Sequence, residues 1–398
     1  MRVLFLTCHL PFPPVSGGRL REYQLLTRVG RDVDVHVCAV SKTYDEDVRA
    51  APALRGACTS VAVFPAAGAR QCDRDGGGAA QVSSHRSRDA SRYVEETLAS
   101  GWFDVVHVEG FYLAQHVPQA FSTPMLVVEQ NVEYELWRQR MQHAVGEAER
   151  RALFLQYRLT RAEEARVWRR ATLCATVTDE DRRTVRRVAP QLDVRVVPDG
   201  IDHLAPPSPA TEADGRTVLM VGNFGYHPSA DAAVWFCSEI LPELTRRVPD
   251  VRVLLVGTDP PPEVRALARG RVVVTGRVRQ VEPYLDRAAV VVCPLRIGGG
   301  VKVKVLEGLR RGKAIVTTRL GVQGLGVAAA DAVAIADDPG AFADAVARLL
   351  EEPRRRRALG RAAKAFAATL PTWDDAAEAL VGAYRELTAA AEREPALS

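Results

Sequence analysis

The sequence predicts an α/β protein made of two doubly wound domains, and three observations lead to that prediction. Short runs of Val, Leu and Ile alternate with helical patterns along almost the whole chain. These runs are continuously apolar, which is typical of parallel strands that are buried on both faces. The length of 398 residues exceeds one ordinary domain, and a proline-rich segment divides the strands into two similar groups.

Six candidate strands precede the proline-rich segment and six follow it. The first group covers residues 3–6, 33–40, 61–64, 105–108, 126–128 and 173–177. The second group covers residues 218–221, 251–256, 272–275, 290–293, 315–317 and 333–335. Because amphipathic helical patterns separate the strands, each group predicts one parallel sheet covered by helices on both faces.

The break between the two groups lies in "HLAPPSPATEADGRT", residues 203–217, which has no hydrophobic periodicity. We assign residues 205–216 to an interdomain linker, so that residues 1–204 form a first domain and a second begins at 217. Residues 66–91 also have the composition of a linker and predict a surface loop. Residues 133–170 predict one or two Arg-rich amphipathic helices, which are either a solvated surface or a face that docks on a membrane or an acceptor.

The composition excludes several kinds of partner and site. Apolar residues make up 47% of the chain, and the formal net charge of +4 is too small to predict a nucleic-acid partner. The seven cysteines include no Cys-x-x-Cys pair, so neither a disulfide framework nor a zinc site is expected. The first 14 residues are too short and too proline-broken for a signal peptide, and no apolar run approaches the roughly 18 residues of a membrane span. We therefore expect a cytoplasmic protein.

The strongest local pattern is "PLRIGGGVKVKVLEGLRRGKAIVTT", residues 294–318. A predicted strand ends here and a helix is predicted to begin near Val301. Glycines at such a junction let the backbone approach a ligand, and free N–H groups at a helix N-terminus attract phosphate. Lys304 and Glu307 share a helix face, so the lysine can meet an anion while the glutamate accepts hydrogen bonds from ribose hydroxyls. The alternative interpretation is a glycine turn with a surface ion pair.

Glycine or basic turns follow other predicted strands in both halves of the chain. Gly17 and Gly18 follow the first strand, Gly222 follows the strand at 218–221, and Arg277 follows the strand at 272–275. Since ligands bind at the carboxyl ends of parallel strands, these turns predict one pocket rather than unrelated loops. Neither a Walker loop nor the usual dinucleotide fingerprint is present.

Taken together, these motifs resemble the GT-B retaining glycosyltransferases of family four, which transfer a sugar from a nucleotide diphosphate sugar. The resemblance covers nearly the whole chain and includes "DVVHVEGF" (104–111), "VVPDGID" (196–202) and "LLVGTDP" (254–260). It implies two Rossmann-like domains that face a cleft, the first for the acceptor and the second, residues 217–372, for the nucleotide sugar. It also implies that a C-terminal helix in residues 373–398 crosses back to the first domain.

The resemblance implies how the donor is held. Glu307 matches the second glutamate of the family's Glu-x7-Glu motif, which holds the ribose. The first glutamate of that motif is replaced by Gly299, so a contact to the transferred sugar is expected from the backbone of Gly299 and Gly300. The turn after the strand at 272–275 is expected to meet the base through the backbone of Arg277 and Val278.

The resemblance also leaves the diphosphate without its usual partners. Relatives often bind it through an Arg and a Lys in the loop that here begins at Asn223, and this loop has neither. Lys304 is therefore the expected anion partner, helped by Lys302 or Arg277.

On the acceptor side, many relatives have a histidine where this chain has Glu109, two residues after His107. Strand periodicity places both side chains on one face. The carboxylate of Glu109 can then orient the acceptor hydroxyl or stabilise positive charge at the anomeric carbon, the alternative being an ordinary surface glutamate. Three polar residues after the next strand, Glu129, Asn131 and Glu133, are expected on the same side, unless they are ordinary loop residues.

The implied enzyme uses no metal ion and no cofactor besides its donor substrate. A UDP-sugar is the expected donor, because UDP is commoner among relatives. The acceptor is a lipid-linked glycan, a capsule precursor or a small natural product such as an aminoglycoside. Two alternatives stay open: a degenerate GT-B protein that binds a nucleotide sugar without transfer, and a sugar-nucleotide epimerase.

Overall fold

Thirteen strands form two parallel sheets within residues 1–67, 78–204 and 214–393, the parts of the chain that the computed structural model describes. Every pair of neighbouring strands in these parts runs parallel. The strands in the middle of each sheet are almost entirely buried, as their continuous apolar runs predict, whereas the strands at the sheet edges are partly exposed. The predicted fold class, two Rossmann-like α/β domains, is confirmed.

The first unit comprises Met1–Gly200 and Trp373–Ser398 and contains a seven-stranded sheet. Its strands are β1 (Arg2–Thr7), β2 (Asp34–Ser41), β3 (Ser60–Pro65), β4 (Val105–Glu109), β5 (Met125–Glu129), β6 (Leu173–Thr176) and β7 (Val194–Val196). Their spatial order is β3-β2-β1-β4-β5-β6-β7, so the direction of winding reverses between β1 and β4. Open α/β sheets bind ligands at the carboxyl ends of strands where such a reversal occurs.

The second unit, Ile201–Thr372, contains a six-stranded sheet. Its strands are β8 (Thr217–Val221), β9 (Arg252–Val256), β10 (Val272–Gly276), β11 (Val290–Cys293), β12 (Ala314–Thr317) and β13 (Ala334–Ile335). The spatial order β10-β9-β8-β11-β12-β13 places the reversal between β8 and β11. The glycine-rich turn singled out from the sequence follows β11 and therefore lies at this reversal.

Helices connect the strands in both units. Those of the first unit are Gly17–Val29, Tyr44–Ala50, Ala80–Ser84, Arg88–Ala99, Glu133–Gln142, Glu147–Arg170, Asp179–Val188 and Trp373–Arg393, with 3-10 turns at Ala51–Leu54 and Phe111–His116. Those of the second are His227–Trp235, Leu241–Arg247, Pro262–Arg265, Glu282–Arg287, Val303–Arg310, Pro339–Glu351 and Pro353–Ala367, with a π-turn at Phe236–Ile240 and 3-10 turns at Arg319–Val322 and Val327–Asp331.

The last helix, Trp373–Arg393, completes the core of the first unit. Trp373 and Tyr384 have no solvent exposure. Near its start, Asp374 accepts a hydrogen bond of 2.8 Å from Nε of Arg28, which lies in the first helix of the chain. Residues close to the two ends of the sequence therefore pack together, and the core of this unit includes residues from both of its segments.

The prediction of a surface loop at residues 66–91 is wrong in part. Residues 68–77 lie outside the described residues, but Ala80–Ser84 and Arg88–Ala99 are helical. The second of these helices buries Ala90, Val94 and Leu98, a four-residue spacing that the polar surroundings obscured. Of the predicted linker, residues 205–213 also lie outside the described residues.

The Arg-rich segment 133–170 forms the two helices Glu133–Gln142 and Glu147–Arg170. The second buries Leu153 and Trp168 but leaves the side chains of Phe154 and Leu155 about half exposed. In the described part of the chain, no helix has both the length and the apolar character that crossing a membrane requires.

Candidate functional site

The glycine-rich turn after β11 is held from inside by Lys302. The Nζ atom of Lys302 donates hydrogen bonds to the carbonyl oxygens of Gly299 and Gly300, at 3.0 and 2.6 Å. Gly300 has a φ of 58°, a left-handed conformation that glycine adopts without a Cβ clash. Lys302 is buried and precedes the helix Val303–Arg310. Its ammonium thus braces the turn against the start of the helix.

Lys304 is directed at the loop that follows β8, the strand next to β11. Its Nζ atom donates a hydrogen bond of 3.2 Å to Oγ of Ser229, and a Cβ added to Gly222 would lie 3.1 Å from the same Nζ atom. Burial lowers the pKa of Lys304, an effect that Cys293 and Glu307 oppose. An ammonium that has lost part of its hydration gains free energy from a nearby anion. Lys304 is therefore suited to an anionic ligand at the reversal between β8 and β11.

Glu307 follows Lys304 by one turn of the same helix and is largely buried. Its Oε1 atom lies 3.5 Å from Nε2 of His203, and the two side chains are 11% and 4% exposed. Sequence reasoning did not single out His203, because it precedes Glu307 by 104 residues and no local pattern links them. A neighbour that fixes one carboxylate oxygen orients the glutamate for its other contacts.

The remaining donor-side residues lie near the reversal or farther along the sheet. The Oδ1 atom of Asn223 accepts a hydrogen bond of 3.0 Å from the backbone N–H of Gly225, which shapes the loop after β8. Arg277 is exposed after β10, three strand positions from β11, and Val278 packs against the core. Asn223 therefore directly follows Gly222, the residue that adjoins Nζ of Lys304. Arg277, in contrast, follows β10, the strand at the edge of the sheet.

In the first unit, Glu109 ends β4 and is buried rather than on the surface, with 1% of its side chain exposed. Its Oε1 atom lies 2.9 Å from Nε2 of His107, and Nε2 of Gln130 donates to its Oε2 atom at 3.1 Å. The other ring nitrogen of His107 lies 2.6 Å from the hydroxyl of Tyr384. Since a carboxylate can only accept, Nε2 of His107 donates to Glu109, and Nδ1 of His107 is hydrogen-bonded to the hydroxyl of Tyr384.

These contacts favour the charged form of Glu109. Burial alone would raise the pKa of Glu109, but the hydrogen bond and charge of His107, with Arg21 and Gln130, lower it. The prediction that His107 and Glu109 share one face of the strand is confirmed by their contact. The sequence carried no sign that Tyr384 would reach His107.

The polar contacts continue to the end of β1. Gln130 also donates to Oε1 of Glu22 at 3.3 Å, and Oγ1 of Thr7 donates to the other oxygen of Glu22 at 2.6 Å. Gly18 lies against this group, because a Cβ there would be 3.0 Å from Oε1 of Gln130. Gly17 is exposed at the first position of its helix. The Gly17-Gly18 turn predicted from the sequence therefore adjoins the carboxyl ends of β1 and β5.

Three glutamates lie beyond Glu109, around the carboxyl end of β5; Glu129 and Glu164 are buried and Glu133 is half-buried. Glu129 accepts a hydrogen bond of 2.9 Å from Nε1 of Trp168, and Glu133 accepts one of 3.0 Å from Gln81. Glu164 accepts from the backbone N–H groups of Glu133 and Tyr134, and so caps the helix that Glu133 begins.

Burial shifts the pKa of all three carboxyls upward. It raises the pKa of Glu129 to about 8 and that of Glu133 to about 7, and it raises the pKa of Glu164 well above its ordinary value. Repulsion from neighbouring glutamates adds to the upward pKa shift of Glu129 and Glu164, and the charge of Cys8 adds to that of Glu133. Glu164 and its role as a cap were missed by sequence reasoning, because nothing in a charged helical stretch marks one glutamate as buried.

Among the described residues, no group of three or more His, Cys, Asp or Glu side chains is arranged to hold a metal ion.

The described fold matches those of solved structures that include glycosyltransferases. Sucrose-phosphate synthase from Thermosynechococcus elongatus is similar with a TM-score of 0.73 and 18% identity, over 98% of this chain and 100% of that one. Anabaena HepE, in complex with UDP and glucose, has a TM-score of 0.68 and 12% identity over 97% and 100%. WaaG, a glycosyltransferase involved in lipopolysaccharide biosynthesis, has a TM-score of 0.63 and 14% identity over 97% and 99%. These likenesses confirm the GT-B fold.

Sequence comparison adds a match to a family model over part of the chain. Residues 215–352, most of the second unit, match the family model "Glycosyl transferases group 1". An uncharacterized 44.6 kDa protein in the cps region of Klebsiella pneumoniae is 23% identical over 135 residues, which are 32% of this chain and 35% of that protein. The match thus spans about a third of the length of the curated relative. The resemblance to group 1 glycosyltransferases with a GT-B fold, predicted from the sequence, is confirmed.

The raised pKa of Glu129 leads to a prediction about stability and pH. An unfolded glutamate ionises near pH 4.5, whereas Glu129 in the folded protein keeps its proton up to about pH 8. The folded state therefore loses stability as pH rises through this window, because only the unfolded chain releases the proton. In the Glu129→Gln variant this loss is absent, so its free energy of unfolding should exceed that of the wild type increasingly from pH 5 to 8.

Urea unfolding at several pH values measures this difference. Glu95→Gln, which changes an exposed glutamate of the same unit, is the matched control and should follow the wild type throughout. A constant offset between Glu129→Gln and the wild type across the whole pH range would show that Glu129 does not titrate as described.

Proposed function

We propose that the protein is a glycosyltransferase that moves a sugar from a nucleotide diphosphate sugar to a hydroxyl acceptor, with retention at the anomeric carbon. The observation that carries the proposal is the position of Lys304, a partly desolvated ammonium at the reversal between β8 and β11, one helical turn from Glu307. A UDP-sugar is the proposed donor, and the similar HepE structure, which holds UDP and glucose, supports it.

The donor-side residues have distinct proposed roles. Lys304 neutralises the charge that develops on the departing diphosphate, together with N–H groups at the start of its helix. Glu307 accepts hydrogen bonds from the ribose hydroxyls, and His203 fixes its orientation. The turn at Gly299 and Gly300, held by Lys302, brings bare backbone to the transferred sugar. The loops at Asn223 and at Arg277 and Val278 complete the nucleotide site.

The chemistry proposed needs no side-chain nucleophile and no metal ion. The departing phosphate takes the proton of the acceptor hydroxyl as that oxygen attacks the same face of the sugar. Glu109, held in its charged form, stabilises positive charge at the anomeric carbon. The Gly17-Gly18 turn lies beside the same polar residues and is proposed to border the acceptor.

The acceptor is proposed to belong to a glycan of the cell envelope or to a small natural product. The relative in a cps region and the similarity to WaaG, which acts in lipopolysaccharide biosynthesis, favour the first class. A cytoplasmic location with peripheral contact to a membrane fits such an acceptor. The exposed side chains of Val145, Phe154 and Leu155 are the surface on which the membrane contact is proposed.

Removal of the Lys304 charge should weaken nucleotide binding through the diphosphate alone. Lys304→Met keeps the length of the side chain, so we expect the affinity for UDP to fall on the order of 10- to 100-fold, the range of one charge-assisted contact. The affinity for uridine should not change. Isothermal titration calorimetry measures both, with Lys364→Met, an exposed lysine of the same unit, as control. Unchanged UDP affinity would refute the donor site proposed for Lys304.

The pair of Glu307 and His203 should control recognition of the ribose. We expect Glu307→Gln to weaken UDP binding about 10-fold and to abolish the preference for UDP over 2′,3′-dideoxy-UDP, because a charged acceptor for the hydroxyls is lost. His203→Asn should reduce the same preference by a smaller factor.

Glu263→Gln, an exposed glutamate of the second unit, should bind as the wild type does. A merely structural role of Glu307 would weaken UDP and dideoxy-UDP equally, and that result would remove the ribose contact from the proposal.

Glu109 should affect turnover more than donor binding. We expect Glu109→Gln to lower kcat by about 10²- to 10³-fold with little change in the KM for the donor, since its charge acts on the transition state. The readout is release of UDP from UDP-sugars with cell-extract acceptors. Tyr384→Phe, which removes only a hydroxyl from the same chain of contacts, controls for altered packing. Full turnover by Glu109→Gln would exclude a catalytic role.

A further inference from the structure

Cys8 directly follows β1, at the point where the winding of the first sheet reverses, and its side chain is partly exposed. Its Sγ atom lies 3.1 Å from Nδ1 of His9. The opposite ring nitrogen of His9 lies 3.2 Å from Oε1 of Glu22. A thiol, an imidazole and a carboxylate are thus connected by consecutive contacts, which is the arrangement that activates cysteine nucleophiles.

The carboxylate of Glu22 is held in position by hydrogen bonds to both of its oxygens. Glu22 is buried in the helix Gly17–Val29, and its two oxygens accept hydrogen bonds from Thr7 and Gln130. A fixed carboxylate keeps the imidazole oriented and stabilises its protonated form. His9 can therefore stay between Glu22 and the sulfur of Cys8.

The charges around Cys8 oppose the effect of burial. Burial by itself raises the pKa of a thiol, but His9 and His85 lower the pKa of Cys8 well below its ordinary value. Burial likewise disfavours a charged imidazole, yet Cys8 and Glu22 raise the pKa of His9 well above its ordinary value. The ionisable groups that act on or respond to Cys8 are His9, His85, Glu22, Tyr112 and Glu133.

In two other described cysteines the pKa of the thiol is shifted in the opposite direction, upward. Cys58 and Cys237 are also partly exposed, but burial raises the pKa of Cys58 to about 11 and that of Cys237 to about 12. The Sγ atom of Cys58 donates to the carbonyl oxygen of Leu54, a neutral group, at 3.4 Å. These two cysteines have partial exposure like that of Cys8 but different electrostatic surroundings, so they serve as internal controls.

We propose that Cys8 is a modification site, a thiolate paired with the imidazolium of His9 and reactive toward soft electrophiles. With a haloacetamide, a sulfur lone pair forms the new S–C bond as the carbon–halogen bond breaks, and the halide leaves with the bonding electrons. No oxidant and no proton are consumed. The adduct would separate Cys8 from His9 at the carboxyl end of β1, and this reactivity does not depend on the proposed transferase activity.

The test is iodoacetamide labelling of the wild-type protein under native conditions, with tryptic peptide mapping by mass spectrometry. Below its pKa, an ordinary thiol reacts about tenfold faster for each unit of pH, because only the thiolate is nucleophilic. At pH 6.5 we expect Cys8 to react at least about tenfold faster than Cys58 and Cys237. From pH 6.5 to 8.5 the Cys8 rate should change less than about threefold, whereas that of Cys58 should rise about 100-fold.

Two variants test the assignment to His9 and Glu22. In His9→Gln the labelling rate of Cys8 at pH 6.5 should fall at least about tenfold. The rate should then increase with pH as it does for an ordinary thiol. Glu22→Gln should also lower the labelling rate of Cys8 at pH 6.5, by a smaller factor. The comparison within the wild-type protein does not depend on how either variant folds. A Cys8 rate at pH 6.5 equal to or below that of Cys58, or rates that rise in parallel with pH, would overturn the proposal.

Discussion

Parallel pairing is the constraint on which both candidate sites depend. When every strand of a sheet runs the same way, all carboxyl ends lie along one edge, and the loops there can share a ligand. In the first unit this edge holds Cys8, Glu109 and Glu129, from three neighbouring strands. In the second it holds Gly222 and the turn braced by Lys302. The candidate site residues are concentrated at these edges because parallel pairing places the carboxyl ends of all strands there.

Neighbouring carboxylates at one such edge behave differently because their partners differ. Glu109 and Glu129 end adjacent strands, and both are buried. Glu109 receives a hydrogen bond from His107 and lies near Arg21, so its charged form is favoured. Glu129 receives a hydrogen bond from the neutral indole of Trp168 and is repelled by Glu133 and Glu109, so its protonated form is favoured. Burial alone therefore does not decide the charge of a carboxyl group, and the partners do.

The sequence predicted the strands and the glycine turns well, because buried parallel strands and glycine junctions are local patterns. The strand β7 was missed, since its three residues, with Arg195 in the middle, carry no apolar run. Lys304 was predicted as the anion partner, but its hydrogen bond to Ser229 was not predicted. Contacts between distant residues were not predictable, and His203 with Glu307 and Tyr384 with His107 are the main examples. These contacts depend on how distant segments pack against the sheets, and no local spacing in the sequence indicates them.

The first unit is assembled from two segments of the chain that flank the second unit. Its last helix brings Trp373 and Tyr384 into the interior, and the hydroxyl of Tyr384 bonds His107 in the middle of β4. During synthesis on the ribosome these residues emerge after all of the second unit. The earlier strands of the first unit must therefore wait with an open apolar face, while the second unit is already free to fold. Nascent chains of this protein thus pass through a stage in which chaperones have a defined surface to bind.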